Sequence, residues 1–230
     1  MKRSFLFALV FGCVAIVTAQ ERVLDKAEFD AVTNGGYDHK TKWKGEKYRM
    51  TVTTTSTVSG RPATDHSSKN ITEYGSAMET RNFHTSSFGG KASPMKETII
   101  IGKWAYTRSE NGQWTRKEYS PAIAAPKELE ESTRKVLSSK TDYRYLGQGT
   151  LGERPVHMYV KTERKTSFNE KTGENTESES KDVYWIDGKG VILKSEFTSE
   201  YRGKITTQTG VIMEWELDPT ITVKAPEIAQ

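Results

Sequence analysis

The sequence predicts an α+β domain built on one large, curved antiparallel sheet, a half-barrel that does not close, with helices covering its concave side. Strand-like runs with period-two alternation recur along most of the 230 residues, separated by turn residues. Only two helix-like segments interrupt them, so the alternating β and α units that build a parallel sheet are missing. The chain is also only 34% hydrophobic, a supply that suits a broad sheet with one face in water. Strand twist then curls so many strands into an incomplete barrel.

The first twenty residues, MKRSFLFALVFGCVAIVTAQ, carry Lys2 and Arg3, an apolar run over 5–17 and small residues ending at Ala19. This is the pattern of a secretory leader, too short for a comfortable membrane span, with cleavage expected before Gln20. Residues 20–230 are then read as a single domain. Cys13 is the only cysteine. Val10, Phe11 and Gly12 before it loosely resemble a lipoprotein box, but Phe11 is bulky and the apolar run continues past the cysteine. Cleavage after Ala19 leaves no thiol for disulfides, nucleophilic catalysis or metal binding, so stability must come from packing. With Lys2 and Arg3 removed the formal charge falls from +4 to +2, and the mixed charges give no footprint for nucleic acid.

Along the mature chain, LDKAEFDAV at 24–32 reads as a short helix with Leu24, Ala27 and Ala31 on one face, stopped by Asn34, Gly35 and Gly36. YRMTVTTTSTV at 48–58 is a strand, with Tyr48, Met50, Val52 and Val58 to one side and arginine and threonines to the other. SKNITEYG and AMETRNFHTS are more polar and are expected at the periphery. Residues 97–119 read as a hairpin turning at Asn111 and Gly112, its first arm carrying Ile99, Ile100, Ile101, Trp104 and Tyr106 and its second Trp114.

SPAIAAP, with Pro121 and Pro126 around four apolar residues, reads either as a mobile flap or as a buried connector. ELEESTRKVLSSK at 128–140 looks helical, with Leu129, Val136 and Leu137 as contacts. Strands resume in DYRYLGQGTL and RPVHMYVKTERKTSF, and NEKTGENTESESK is expected to be a polar loop. From 182 to 224 the chain reads as consecutive antiparallel strands. The first two of these, in VYWIDGKGVILKSEF, place Val183 and Trp185 on one face of one run, and Val191, Leu193 and Phe197 on one face of the next.

Little here carries catalysis. His39, His66, His84 and His157 lie in separate segments without metal-ligand spacing, and His66 beside Asp65 reads as a solvated loop. With 28% charged residues, Glu/Lys pairs are expected on any surface and are read as solvated face. Nucleophile elbow, zinc-protease helix and phosphate loop are all missing. Asn70-Ile71-Thr72 matches a glycosylation acceptor, a triplet that also arises by chance. The aromatic residues are more informative: Trp104, Trp114, Trp185 and Trp215 fall in predicted strands, where they fill a core or line an apolar pocket.

The C-terminal third resembles the terminal strands of the LolA/LppX-like family of periplasmic lipoprotein and lipid carriers. The matching features are a strand ending in Trp185-Ile186-Asp187, a glycine turn and an aliphatic strand, and a last strand through Asp218, Pro219, Ile221 and Val223 to Pro226. The resemblance implies an unclosed barrel around an apolar cavity for acyl chains, with no cofactor and no catalytic residue. It implies a lipid or an acylated protein as cargo, and a monomer in the periplasm or outside the cell. The alternative is a non-enzymatic envelope sensor or protein-interaction module of the same fold, partnered by an envelope protein. The residues expected to line the ligand site are Tyr48, Met50, Val52, Ile99, Ile101, Trp104, Trp185, Val191, Leu193, Phe197, Val211, Met213 and Trp215. Pairing of the last two strands through a turn near Gly203 is expected to gather Val191, Leu193, Phe197, Val211, Met213 and Trp215 on one dry face.

Overall fold

The computed structural model of the protein describes residues 21–75, 79–110, 112–120 and 134–228. The leader, Cys13, Asn111 and residues 121–133, which include the proline-bracketed segment, lie outside the described residues. Thirteen strands form one antiparallel sheet: β1 (Arg22–Leu24), β2 (Tyr48–Val58), β3 (His66–Tyr74), β4 (Thr80–Phe88), β5 (Lys91–Ala92), β6 (Lys96–Ile101), β7 (Trp104–Ser109), β8 (Thr115–Glu118), β9 (Arg134–Leu151), β10 (Arg154–Asn169), β11 (Glu174–Ile186), β12 (Ile192–Arg202) and β13 (Thr206–Leu217). Their order is β1-β9-β10-β11-β12-β13-β2-β3-β4-β6-β7-β8, with β5 paired to β4. The sheet is thus two meanders, β2 to β8 and β9 to β13, joined at a seam where β13 pairs with β2. Its end strands, β1 and β8, are not paired with one another, so the curved sheet stays unclosed.

Two short helices, α1 (Lys26–Thr33) and α2 (His39–Lys42), lie between β1 and β2. Asp25 starts α1 with a reciprocal cap: its carboxylate accepts from the Glu28 amide at 2.8 Å, and Glu28 accepts from the Asp25 amide at 3.0 Å. The buried side chain of α1 is Phe29, against Tyr143 at 4.9 Å and Tyr184 at 5.8 Å. Ala27 and Ala31 are exposed and Leu24 belongs to β1, so the apolar face differs from the one expected. α2 sits over Tyr48 and Trp215, and the two helices therefore cover one face of the sheet, here termed the helix face.

Several other elements differ from the sequence reading. Residues 134–140 begin the long strand β9, and Val136 and Leu137 are exposed. Pairing with β10, Lys140 opposite Arg164 and Ser139 opposite Lys165, overrides the local helical pattern. Within the expected polar loop only the turn before Glu174 is irregular. Glu174 to Lys181 continue into β11, one face exposed through Asn175, Glu177, Glu179 and Lys181 and the other half-buried, with Thr176 buried, so polar residues alternate there as a strand requires. The first arm of the 97–119 hairpin is two strands, since Gly102 at φ 56° turns the chain between Ile101 and Trp104. Strands β3 and β4 are interior, paired on both sides, rather than peripheral. The last strand ends at Leu217. Beyond it Asp218 receives Arg49 at 2.9 Å and Ile221 is buried in a tail without strand pairing.

The core lies at the end of the sheet nearest the helices. Trp43, Tyr48, Ile186, Ile192, Leu193 and Trp215 belong to it, all less than 9% exposed. Gly36 is fixed there by Ile192: a Cβ on it would fall 2.6 Å from the Ile192 side chain, and its carbonyl accepts from the Ile192 amide at 3.0 Å.

Candidate functional site

The seam between the meanders carries the site. Register aligns Phe197 of β12 with Val211 of β13, Met213 with Val52 of β2, and Trp215 with Met50. Alternation places all six on the helix face, together with Tyr48. Trp215 and Tyr48 are buried under α2, and Met50 and Met213 pack against the core. Val52, Phe197 and Val211 continue outward and stay only half-buried, as do both methionines. The result is an apolar strip three strands wide, about 10 Å between its outer strands. Polar groups border it. On the β3 side His84 and Asn70 join side chains at 2.9 Å. On the β11 side Asp182 stands opposite Phe197, with Lys161 at 4.0 Å from both Asp182 and Glu163.

The other expected site residues divide. Val191 and Leu193 are sealed in the core, at 0% and 2% exposure. Ile99, Ile101, Trp104 and Trp185 lie on the face opposite the strip, because register carries their positions to the parity of Arg49 and Thr51. The structure therefore gathers the C-terminal hairpin residues with those of β2 and separates Ile99, Ile101 and Trp104 from them, while Trp185 joins the same buried core cluster as Tyr48 and Trp215 from the other face. The Trp185 indole lies under the Lys194 ammonium at 5.2 Å, and its buried N–H has no hydrogen-bond partner among the described residues.

A residue outside that set organises the covered end. His39, at 3% exposure, stacks on Trp215 at 4.6 Å and 10°, with Trp43 edge-on at 4.9 Å. Its Nδ1 lies 3.0 Å from the Tyr37 carbonyl oxygen and its Nε2 2.7 Å from that of Ile192. Those contacts clamp α2 to β12. The sequence offers no signal for this, since the Ile192 partner is 153 positions away. On the opposite face Glu97, 1% exposed, accepts from Arg81 Nε at 2.6 Å and Arg108 Nε at 2.8 Å. The two guanidinium groups lie over Phe83 and Trp114, at 4.6 Å each. Here a signal existed: alternation puts Glu97 on the face of Ile99 and Ile101, where a carboxylate needs partners.

The electrostatics of the helix face follow from burial. Loss of water pushes the Tyr48 hydroxyl up to about 12, with the neighbouring Tyr74 adding to it. Burial also raises Tyr184, Tyr37 and Tyr74. Asp182 is raised by burial, partly opposed by Lys161, whereas Glu163 is lowered chiefly by its hydrogen bond from Lys165. Among the described residues no helix is long and apolar enough to cross a membrane, and no three His, Cys, Asp or Glu side chains are grouped to hold a metal ion.

No protein-family model and no curated protein matches the sequence. Among solved structures, the chain is similar to a LolA superfamily protein of Nitrosomonas europaea, at 6% identity over 84% of this chain and 92% of that one, with a TM-score of 0.26. That likeness is too slight to carry an argument. The architecture rests on the strand order and register themselves.

Proposed function

We propose that the protein is a non-enzymatic binding protein that shields an acyl chain, free or attached to a lipid or a protein, against the strip formed by β12, β13 and β2. The observation that supports this reading is the strip itself: Met50, Val52, Phe197, Val211 and Met213 share one face, extend the core and are left half-buried. Each methylene moved from water onto such a surface contributes about 0.8 kcal/mol before the costs of association. A long chain therefore binds without a charged anchor, and the polar borders suit a head group. The leader-like N-terminus supports a place in the periplasm or outside the cell, and the protein acts as a monomer. Solvent extraction of protein purified from its native compartment, followed by lipid mass spectrometry, tests the reading. A stoichiometric acyl species is expected, and a lipid-free protein that also takes up no added fatty acid contradicts it.

One observation favours a second reading, an envelope sensor or recognition module. The edge strand β8 exposes all four of its residues and, among the described residues, leaves one side of its backbone unpaired, a template for strand addition by a protein partner. Copurification with a protein instead of a lipid would support it.

A further inference from the structure

The face opposite the strip holds a cavity of about 830 Å³ that spans β11 to β4. One register row forms its floor: Lys181, Thr198, Gly210, Thr55, Ser67 and Ser87, each opposite the next on consecutive strands. The hairpin glycines Gly89 and Gly90 and the turn at Pro62 close one side. Its size falls within the range of small-molecule sites.

Gly210 is the informative position. A glycine inside a strand weakens it, and here it sits in the interior of β13, opposite Thr198 of β12 on one side and Thr55 of β2 on the other. A Cβ at this place would lie 3.0 Å from Thr55 Oγ1 and fill the middle of the floor. The strand therefore forgoes a side chain where the cavity is lined by hydroxyl groups. Interior strand glycines mark places where a ligand or another backbone approaches closely, and nothing but Thr55 Oγ1 lies within 4 Å of the missing Cβ.

The lining also defines the chemistry. Serine and threonine hydroxyls both donate and accept, which matches a ligand whose own groups do both. Thr methyl groups and the Gly210 methylene supply apolar contact between them. The neighbouring row, Glu179, Glu200, Gln208 and Thr57, adds acceptors. Among the described residues Lys181 is the one lysine or arginine in the lining, so no cluster of cations is present to hold an anion. Glu179 is already engaged by Arg164, and Glu200 by Arg202 and Gln208, which leaves no free carboxylate pair to call for a cation. No large apolar side chain lines the space among the described residues, which separates it from the acyl strip.

We propose that this cavity is a binding site for a short, uncharged oligosaccharide, seated over Gly210 and held by the flanking hydroxyls. Titration of the full-length purified protein with maltotriose, cellotriose and triacetylchitotriose, followed by calorimetry and amide chemical shifts, tests this. At least one trisaccharide is expected to bind saturably and to shift the amides of Thr55, Thr198 and Gly210. Gly210→Val should weaken that binding tenfold or more, with unchanged circular dichroism and unchanged uptake of a fatty-acyl probe. Thr55→Val, which keeps the shape and removes one hydroxyl, should weaken it as well and serves if the glycine variant does not fold. Failure of all three sugars to bind, binding that survives both substitutions, or preferential binding of inorganic phosphate in the cavity would each overturn the proposal. Acyl uptake is read separately in the same samples, so loss of one site does not imply loss of the other.

Discussion

Replacing His39 with leucine removes the clamp between α2 and β12, and its cost can be worked from the contacts. The Ile192 carbonyl, accepting at 2.7 Å in a buried setting, loses its side-chain partner at a cost of about 2 kcal/mol. Loss of the stack on Trp215 costs about 1 kcal/mol more. The apolar leucine side chain returns about 1 kcal/mol by burial. The net is a destabilisation of about 2 kcal/mol, a sizeable part of the total stability of an ordinary domain. Urea unfolding followed by tryptophan fluorescence measures it, and His39→Phe, which keeps a ring on Trp215, should recover about 1 kcal/mol. Hydrogen exchange should show the Lys42 and Trp43 amides, bonded to the Asp38 and His39 carbonyls, opening first. A loss below about 1 kcal/mol for His39→Leu, with those amides still protected, would refute the clamp.

Glu97→Gln should destabilise by about 2–4 kcal/mol, because the amide NH₂ faces a guanidinium where a carboxylate oxygen accepted before. The triple change Arg81→Met, Glu97→Leu and Arg108→Met should recover most of that loss in the same urea assay, since it removes the charges together. Alkaline pH should unfold the protein through its tyrosines. Tyr48 is raised to about 12, so its contribution is complete below the unfolded value near 10 and is lost as pH rises through 12; tyrosinate absorbance and circular dichroism should change together over that interval.

Much of the sheet was legible because period-two alternation is a local property. The YRMTVTTTSTV run and the two hairpins over 183–217 form strands with the expected faces and the expected turn near Gly203. What local pattern could not supply was the neighbour of each strand. The β13–β2 seam joins residues about 150 to 170 positions apart, and that pairing places Met50 and Val52 beside Phe197, Val211 and Met213 while carrying Ile99, Ile101, Trp104 and Trp185 to the other face. The 134–140 segment failed for the opposite reason. Its composition favours a helix, and only pairing with β10 makes it a strand. The role of His39 is tertiary from the start, and the Gly210 cavity emerges only when six strands are aligned.

The central claim, that the half-buried strip takes an acyl chain, is most directly tested by equilibrium binding of a fluorescent fatty-acyl probe to delipidated wild-type protein and to Met213→Glu. Met213 lies between Val52 and the core on a partly solvated strip, so the carboxylate can reach water and the domain should remain folded. The account predicts saturable binding of one probe by the wild type and at least a tenfold loss in the variant, with both giving the same circular dichroism. A folded wild type that binds no probe would contradict it, as would a variant that unfolds outright, since that result would mark Met213 as part of a closed core.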